Sequence, residues 1–157
     1  MEIDRSWGAV VIDNKQKFLL VQHSNGQHWS HPKGHPNPGE TPFETAIREI
    51  REEGNVDVAL INGFQMRETW TLPDGRRKEV VYYLGKKIGS AEENRMENRK
   101  IGVPVAIQKD EKKSPDEEIL GRAWLSYQEA LERITYEAGR RVLRAAVEFL
   151  KLQGMAH

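Results

Sequence analysis

The pattern of apolar and polar residues predicts that two β-strands open the chain. The runs WGAVVID and KFLLVQH are rich in strand-forming residues, and NKQ separates them directly after Asp13. Because Asp and Asn favour turns, we expect the two runs to pair as a hairpin. The following stretch, SNGQHWSHPKGHPNPGE, is dense in Gly, Pro, Asn and Ser, and it predicts a loop rather than a helix or a central strand.

A helix is predicted from Pro42 to about Glu53. Thr41 is its expected N-cap, Pro42 occupies the first helical position, and Glu44 completes a capping box. Three apolar residues recur at helical spacing and predict the buried side: Ala46, Ile47 and Ile50. The remaining positions are mostly charged, so the helix is expected to be amphipathic.

More sheet is predicted beyond this helix. The segments VDVALING, FQMRETWTLPDGRRKEVVYYLGKK and VPVAIQK are rich in strand formers, and PDG predicts a hairpin turn. Two charged stretches, GSAEENRMENRKIG and KDEKKSPDEE, are expected to be solvated loops.

The C-terminal part of the chain predicts the end of a strand followed by two helices. In RAWLSYQEALERI, Ser126 and Glu129 form a second capping box, and AGRRVLRAAVEFLKLQ has the pattern of an amphipathic helix. The fold class expected from the whole pattern is mixed α/β (α+β).

Composition narrows the possible functions. The chain has 157 residues, 24 Lys and Arg balanced by 24 Asp and Glu, and no Cys. We expect a single domain over residues 1–157, without disulfides or general nucleic-acid binding. No apolar run approaches a membrane span and no signal-peptide pattern opens the chain, so a cytoplasmic location without membrane attachment is expected.

An acidic stripe carries the candidate chemistry. Glu49, Glu52 and Glu53 share one helix face, where like charges repel one another. A divalent cation such as Mg²⁺ would turn these carboxylates into favourable ligands. The alternative is a solvated acidic face in which Arg48 and Arg51 form ion pairs.

The spacing of the stripe relative to the preceding loop resembles the Nudix box, G-x5-E-x7-R-E-U-x-E-E-x-G-U, where U is a large aliphatic residue. The matching residues are Gly34, Glu40, Arg48, Glu49, Ile50, Glu52, Glu53 and Val56. The chain departs from the box only at the last Gly, where it has Asn55. Asn is the second choice after Gly for the left-handed residue that ends a helix, so we expect the turn to be preserved.

This resemblance implies a MutT-like Nudix hydrolase with a mixed β-sheet sandwiched between helices and a loop-helix-loop catalytic motif. It implies hydrolysis of a phosphoanhydride bond with Mg²⁺, for which Mn²⁺ can substitute. The implied metal ligands are Glu49, Glu52, Glu53, the carbonyl of Gly34 and a downstream carboxylate, Glu118. Arg48 and Glu40 are implied to orient the other groups. Glu118 could instead be a surface residue.

Two basic residues flank Gly34 beside the expected metal loop. Lys33 is a candidate phosphate ligand, and His35 is a second candidate. Attack by water on a phosphoanhydride needs charge neutralisation and a base, and one of the box glutamates can take the proton. The sequence does not distinguish which one.

The segment HWSHPKGH and the later segments RKEVVYYLGK and AWLSYQEALERITYEAGRRVL resemble the asymmetric diadenosine tetraphosphate hydrolases. The resemblance implies that Tyr82 and Tyr136 bind an adenine by stacking, with Tyr83 as the alternate, and that the products are ATP and AMP. Core tyrosines are the alternative. A long charged segment, Gly89 to Glu117, departs from those enzymes and could reshape the nucleotide pocket.

Other substrates are compatible with the sequence: a diphosphoinositol polyphosphate, a nucleotide sugar or an RNA 5′-pyrophosphate. RNA pyrophosphohydrolases of this family typically carry Gln at the position of Lys33. A non-catalytic nucleotide sensor is a different class of function, and the complete set of box glutamates argues against it.

Overall fold

A computed structural model describes residues 3–90 and 118–155. The strands are β1 (Ile3–Ile12), β2 (Phe18–His23), β3 (Trp29–Ser30), β4 (Lys33–Gly34), β5 (Val56–Leu60), β6 (Met66–Thr71), β7 (Arg77–Ser90) and β8 (Ile119–Leu125). The helices are α1 (Pro42–Gly54), α2 (Tyr127–Arg133) and α3 (Glu137–Leu152).

The strands within these described ranges form one mixed sheet. Its central pair, β1 and β7, is parallel and runs in register from Ile3 opposite Arg77 to Ile12 opposite Lys86. Strands β2 and β4 pair antiparallel with β1, and β2 also pairs with β3 and β8. On the other side, β5 and β6 pair antiparallel with β7.

Each face of the sheet packs against a different set of helices, because neighbouring residues in a strand point to opposite faces. Val10 and Leu20 face α2 and α3, where they join a core that includes Leu143 and Leu150. Val11 and Leu19 face α1 and pack with Ala46 and Ile50. The predicted arrangement of a mixed sheet between helices is therefore confirmed.

The local predictions agree with these elements. Strands β1 and β2 form the expected hairpin, and the PDG turn joins β6 to β7, with the amide of Leu72 donating to the carbonyl of Arg76. Both predicted capping boxes are present, and Asn55 ends α1 in the left-handed conformation with φ 57°. Helix α1 extends one residue past the predicted end, to Gly54.

One local prediction needs correction. The Gly- and Pro-rich stretch predicted as a loop contains two short strands, β3 and β4, because its backbone pairs with β2 and β1. The predicted strand VPVAIQK and the two charged loops lie within residues 91–117, outside the described residues, apart from Gly89 and Ser90 at the end of β7 and Glu118 just before β8. Among the helices described above, none combines the length and the apolar character that crossing a membrane would require.

Candidate active site

Arg48 is the centre of the polar network on α1. Its guanidinium group donates to both oxygens of Glu40, at 2.6 and 3.0 Å, and to the carbonyl of His35 at 2.7 Å. It also donates to Glu49 at 2.9 Å and to Glu52 at 3.1 Å. The predicted orienting role of Arg48 and the predicted bracing role of Glu40 would use these contacts. We name Glu40, Arg48, Glu49, Glu52 and Glu53 the carboxylate cluster.

Within the carboxylate cluster, Arg48 and Glu40 stabilise each other's charged forms despite their burial. Burial alone would favour neutral Glu40, but hydrogen bonds from Arg48, Asn37 and Thr45 lower the pKa of this carboxyl group. Burial would likewise lower the pKa of Arg48, whereas Glu40 and Glu49 raise it above its ordinary value. The guanidinium and the carboxylate are therefore both held in their charged forms.

Glu49 is fully buried against the backbone of Gly34. A Cβ added at Gly34 would lie 2.2 Å from the carboxyl carbon of Glu49, so only glycine fits this position without a shift. Glu53 is also buried, and its carboxylate accepts a hydrogen bond of 3.0 Å from the amide of Lys33. Strand β4 and helix α1 are thus joined at the predicted metal loop.

The donor chemistry of this region fits a hard divalent cation. Glu49, Glu52 and Glu53 supply carboxylate oxygens on one helix, and the backbone of Gly34 lies close to the Glu49 carboxylate. Across residues 3–90 and 118–155, no three acidic or histidine side chains converge into a ready-made cation site, since Arg48 holds Glu49 and Glu52 while Lys33 holds Glu53. A bound cation would have to replace part of these interactions.

A pocket of about 470 Å³ adjoins the carboxylate cluster on the sheet face that carries α2 and α3. Its lining residues come from the β3–β4 segment, β6, β7 and the start of α3: His28, Trp29, Ser30, Lys33, Glu68, Thr69, Trp70, Tyr82, Ile134, Tyr136, Ala138, Gly139 and Arg141. We call it the aromatic pocket. Lys33 belongs to both regions, because its amide contacts Glu53 and its side chain lines the pocket.

The two predicted stacking tyrosines both line the aromatic pocket, but their environments differ. Tyr82 is only 4% exposed, so it forms part of the pocket floor, and burial raises the pKa of its hydroxyl. Tyr136 is 61% exposed and precedes α3. Tyr83, the alternate, points to the opposite face and contacts the ring of Phe43.

The two other predicted site residues, His35 and Glu118, differ in their position relative to the carboxylate cluster. His35 is adjacent to the metal loop, but its imidazole faces Asp4, 2.7 Å away, and the ammonium of Lys78, 3.4 Å away. Glu118 is exposed just before β8, and the contact described for it joins its carbonyl to the amide of Ser24. The structure brings Lys33 and Gly34 to the carboxylate cluster and does not connect Glu118 with it.

Several pocket residues were not predicted from the sequence, notably Glu68, Trp70 and Arg141. Glu68 and Trp70 alternate along β6 and face the same side as Tyr82, which lies opposite Met66. Counting back from the PDG turn would have found both residues. Trp70 is 40% exposed, so its ring is more accessible to a base than the ring of the buried Tyr82.

Burial and nearby carboxylates shift the pKa of Lys33 in opposite directions. Burial lowers the pKa of its ammonium group, and the carboxylate of Glu53 opposes this shift most strongly. An anionic ligand in the pocket would favour the charged ammonium further. The site can therefore present a cation and hard oxygen ligands next to an aromatic surface.

Comparisons with known proteins agree with this arrangement. The family model for the NUDIX domain matches residues 3–146. The asymmetrical bis(5′-nucleosyl)-tetraphosphatase of the pig, Sus scrofa, is 31% identical over 147 residues, which cover 88% of this chain and 84% of the pig protein. The rat enzyme of the same name, from Rattus norvegicus, is 29% identical over 144 residues, with the same two shares covered.

A solved structure gives the same fold. The binary complex of the Caenorhabditis elegans Ap4A hydrolase has a TM-score of 0.67 to this chain at 24% identity. The superposition covers 94% of this chain and 98% of the nematode protein. At this identity the likeness establishes a shared architecture, and the function has to be argued from the residues.

Proposed function

The chain belongs to the Nudix family of hydrolases, which act on phosphoanhydride bonds, and we propose that it hydrolyses dinucleoside polyphosphates with Mg²⁺ or Mn²⁺. Diadenosine tetraphosphate is the proposed substrate, and ATP and AMP are the proposed products. The relatives named as asymmetrical tetraphosphatases support this choice.

The observation that carries the proposal is the double role of Lys33. Its backbone amide is bound to Glu53 of the carboxylate cluster, while its side chain lines the aromatic pocket. A ligand with a base in the pocket would therefore direct its phosphates across Lys33 toward the carboxylates. Holding the base at a fixed distance from the reacting groups would select one phosphoanhydride bond.

The residues of the chain have distinct parts in this proposal. A bound divalent cation would neutralise phosphate oxygens and make water more acidic. Glu49, Glu52, Glu53 and the Gly34 carbonyl would hold it, and one of these glutamates would accept the proton from water. Lys33 would bind the phosphate chain, while Arg48 and Glu40 keep the carboxylates oriented.

The lining of the pocket favours a ligand with a nucleobase over a diphosphoinositol polyphosphate. Among its described lining residues the cationic side chains are Lys33 and Arg141, and Arg141 is already paired with Glu68. A diphosphoinositol polyphosphate carries many phosphates and would need more cations than this. Trp29, Trp70 and Tyr136 instead offer aromatic surface on which a base can stack.

A panel of substrates with and without divalent cation tests the proposal. Diadenosine tetraphosphate should be hydrolysed rapidly with Mg²⁺ or Mn²⁺, and chromatography should show ATP and AMP in equal amounts. Two molecules of ADP would indicate symmetric cleavage and contradict the proposed geometry.

The same panel separates the alternatives. Faster hydrolysis of a diphosphoinositol polyphosphate, a nucleotide sugar or a 5′-triphosphate RNA would reject the substrate while leaving the reaction class intact. Full activity in excess chelator would reject the metal. Nucleotide binding without turnover under every condition would identify a sensor.

A further inference from the structure

An ion pair between a buried carboxylate and a half-exposed guanidinium lies at the end of the aromatic pocket away from the carboxylate cluster. Glu68 on β6 is only 8% exposed, and both of its carboxylate oxygens accept hydrogen bonds from Arg141 on α3, at 3.1 and 2.9 Å. Both residues line the pocket. The proposed reaction uses neither of them.

Strand register shows that Glu68 and Lys33 lie at opposite sides of the pocket. Lys33 is opposite Gly8, Gly8 is opposite Tyr82, and Tyr82 is opposite Met66, two residues from Glu68 on the same face of β6. Three strand spacings therefore separate β4 from β6, about 14 Å in all. The buried Tyr82 lies between the two ends and is influenced by the charges of both Glu68 and Glu53.

This separation assigns different parts of a nucleotide to the two ends. The phosphates belong at Lys33 and the carboxylate cluster, where the ammonium and the proposed divalent cation would neutralise their charge, whereas Glu68 would repel them. The base belongs at the end where Glu68 and Trp70 lie on the same strand face. Stacking alone accepts any base, since every base has a π-face.

We propose that Glu68 selects the base by accepting a hydrogen bond from its exocyclic amine, with Arg141 holding the carboxylate in position. This inference rests on the proposed function and specifies its substrate as an amino-bearing base, adenine in the first place. A carboxylate has about four acceptor positions, and Arg141 occupies one on each oxygen. A base that places a carbonyl there would meet repulsion instead.

Two substrates that differ only in the amine provide the test. We compare kcat/KM for diadenosine tetraphosphate with that for its counterpart in which both adenines are replaced by unsubstituted purine, which stacks but has no amine. The unaltered protein should prefer adenine about tenfold or more, as expected for a hydrogen bond to a charged group. Glu68→Met should bring the ratio close to one, and Glu68→Gln, which keeps an uncharged acceptor, should give an intermediate ratio.

Glu79→Gln is the matched control. Glu79 is the residue next to Val80 on β7, it pairs with Arg67 at 3.1 Å, and it faces the other side of the sheet. This variant should keep the full preference for adenine. Thermal unfolding identifies folded variants, and if Glu68→Met does not fold, the ratio for Glu68→Gln decides.

A binding measurement separates this inference from the proposed reaction. Calorimetric titration without divalent cation compares ATP with purine riboside triphosphate. One possible outcome is that the dinucleotide is not hydrolysed, but ATP binds more tightly than purine riboside triphosphate and Glu68→Met removes this difference. The proposed reaction would then be wrong, and the proposed base selection would hold. The inference would be overturned if the unaltered protein showed equal kcat/KM and equal affinity for the adenine and purine ligands, or if folded Glu68→Met kept the preference for adenine. The Glu68–Arg141 pair would then only join β6 to α3.

Discussion

The carboxylate cluster and the aromatic pocket are neighbours, yet they are built in different ways. The cluster is dense in charge-assisted hydrogen bonds, most of them centred on Arg48 within one helix and the loop before it. The pocket is lined by aromatic side chains that include the exposed Trp70 and Tyr136. A rigid polar site suits one reaction, whereas an open aromatic site can accept different ligands. This difference explains why a fold can keep its chemistry and change its substrate.

The largest effect is expected from removing charge in the carboxylate cluster. Glu52→Gln and Glu53→Gln should each lower kcat at least about a hundredfold, because a positioned base or metal ligand is lost while the side-chain shape is kept. Steady-state kinetics with saturating Mg²⁺ would measure this loss. Glu132→Gln, on α2 and hydrogen bonded to Gln128, serves as the control and should leave kcat unchanged. Near-normal turnover in both cluster variants would make the cluster a structural acidic face.

A smaller effect is expected at the connection between the two regions. His31 is fully buried, its Nε2 donates to the carbonyl of Gly139 at 3.0 Å, and its ring meets Tyr82 edge-on. Burial lowers the pKa of His31 from 6.5 to about 4, so the folded state holds the neutral imidazole. The unfolded chain binds the proton more readily, and stability is therefore lost as the pH falls from 6.5 towards 4.

The loss attributable to His31 should reach about 2 kcal/mol at pH 5 and about 3 kcal/mol at pH 4. Denaturant unfolding at pH 7 and pH 5 would measure it as the difference between the unaltered protein and His31→Gln, which keeps a donor but does not titrate. His35→Asn replaces a histidine whose side chain is 51% exposed. The same unfolding measurements on this variant provide the matched comparison for His31→Gln. An equal acid sensitivity in the unaltered protein and His31→Gln would mean that the protonated imidazole is tolerated.

The carboxylate cluster could be predicted from the sequence because its geometry is local. Helix periodicity places Glu49, Glu52 and Glu53 on one face, and the fixed spacing to Gly34 identifies the loop that packs against them. The turn at Asn55, where the chain departs from the Nudix box, was also predictable, because the left-handed backbone conformation that ends the helix depends on one residue. The network around Arg48 follows from the same spacing.

The aromatic pocket was predicted only in part, because distant segments form it. The choice between Tyr82 and Tyr83 depends on which sheet face each helix covers, and the sequence alone did not fix that. Strand register from the PDG turn would have identified Glu68 and Trp70. Arg141 could not be found in this way, because its contact with β6 depends on how α3 packs across the sheet.

The contact between Gly34 and Glu49 should respond to a single methyl group. Gly34→Ala places a Cβ 2.2 Å from the carboxyl carbon of a buried side chain that Arg48 holds, so we expect about 1–3 kcal/mol of destabilisation and lower activity. Denaturant unfolding would measure the loss of stability. Gly121→Ala is the control, because its Cβ would first meet Trp29 at an ordinary 3.6 Å. Equal stability in the two variants would show that Glu49 is free to move.

The smallest effect is expected in the aromatic pocket, where Tyr136 and Tyr82 should respond in opposite ways. Tyr136→Leu removes an exposed ring, so nucleotide binding should weaken by about 1 kcal/mol, the lower end for base stacking, while stability is retained. Tyr82→Leu removes a ring from the core and should reduce stability more than binding.

Calorimetric titration with ATP and thermal unfolding, applied to both variants, would separate these outcomes. If Tyr136→Leu binds as tightly as the unaltered protein, the base does not stack on this side of the pocket and Trp70 alone would have to hold it. If Tyr82→Leu instead weakens binding at unchanged stability, the pocket floor contacts the base directly. The aromatic pocket would then recognise its ligand through a buried surface, as fixed in position as the carboxylate cluster.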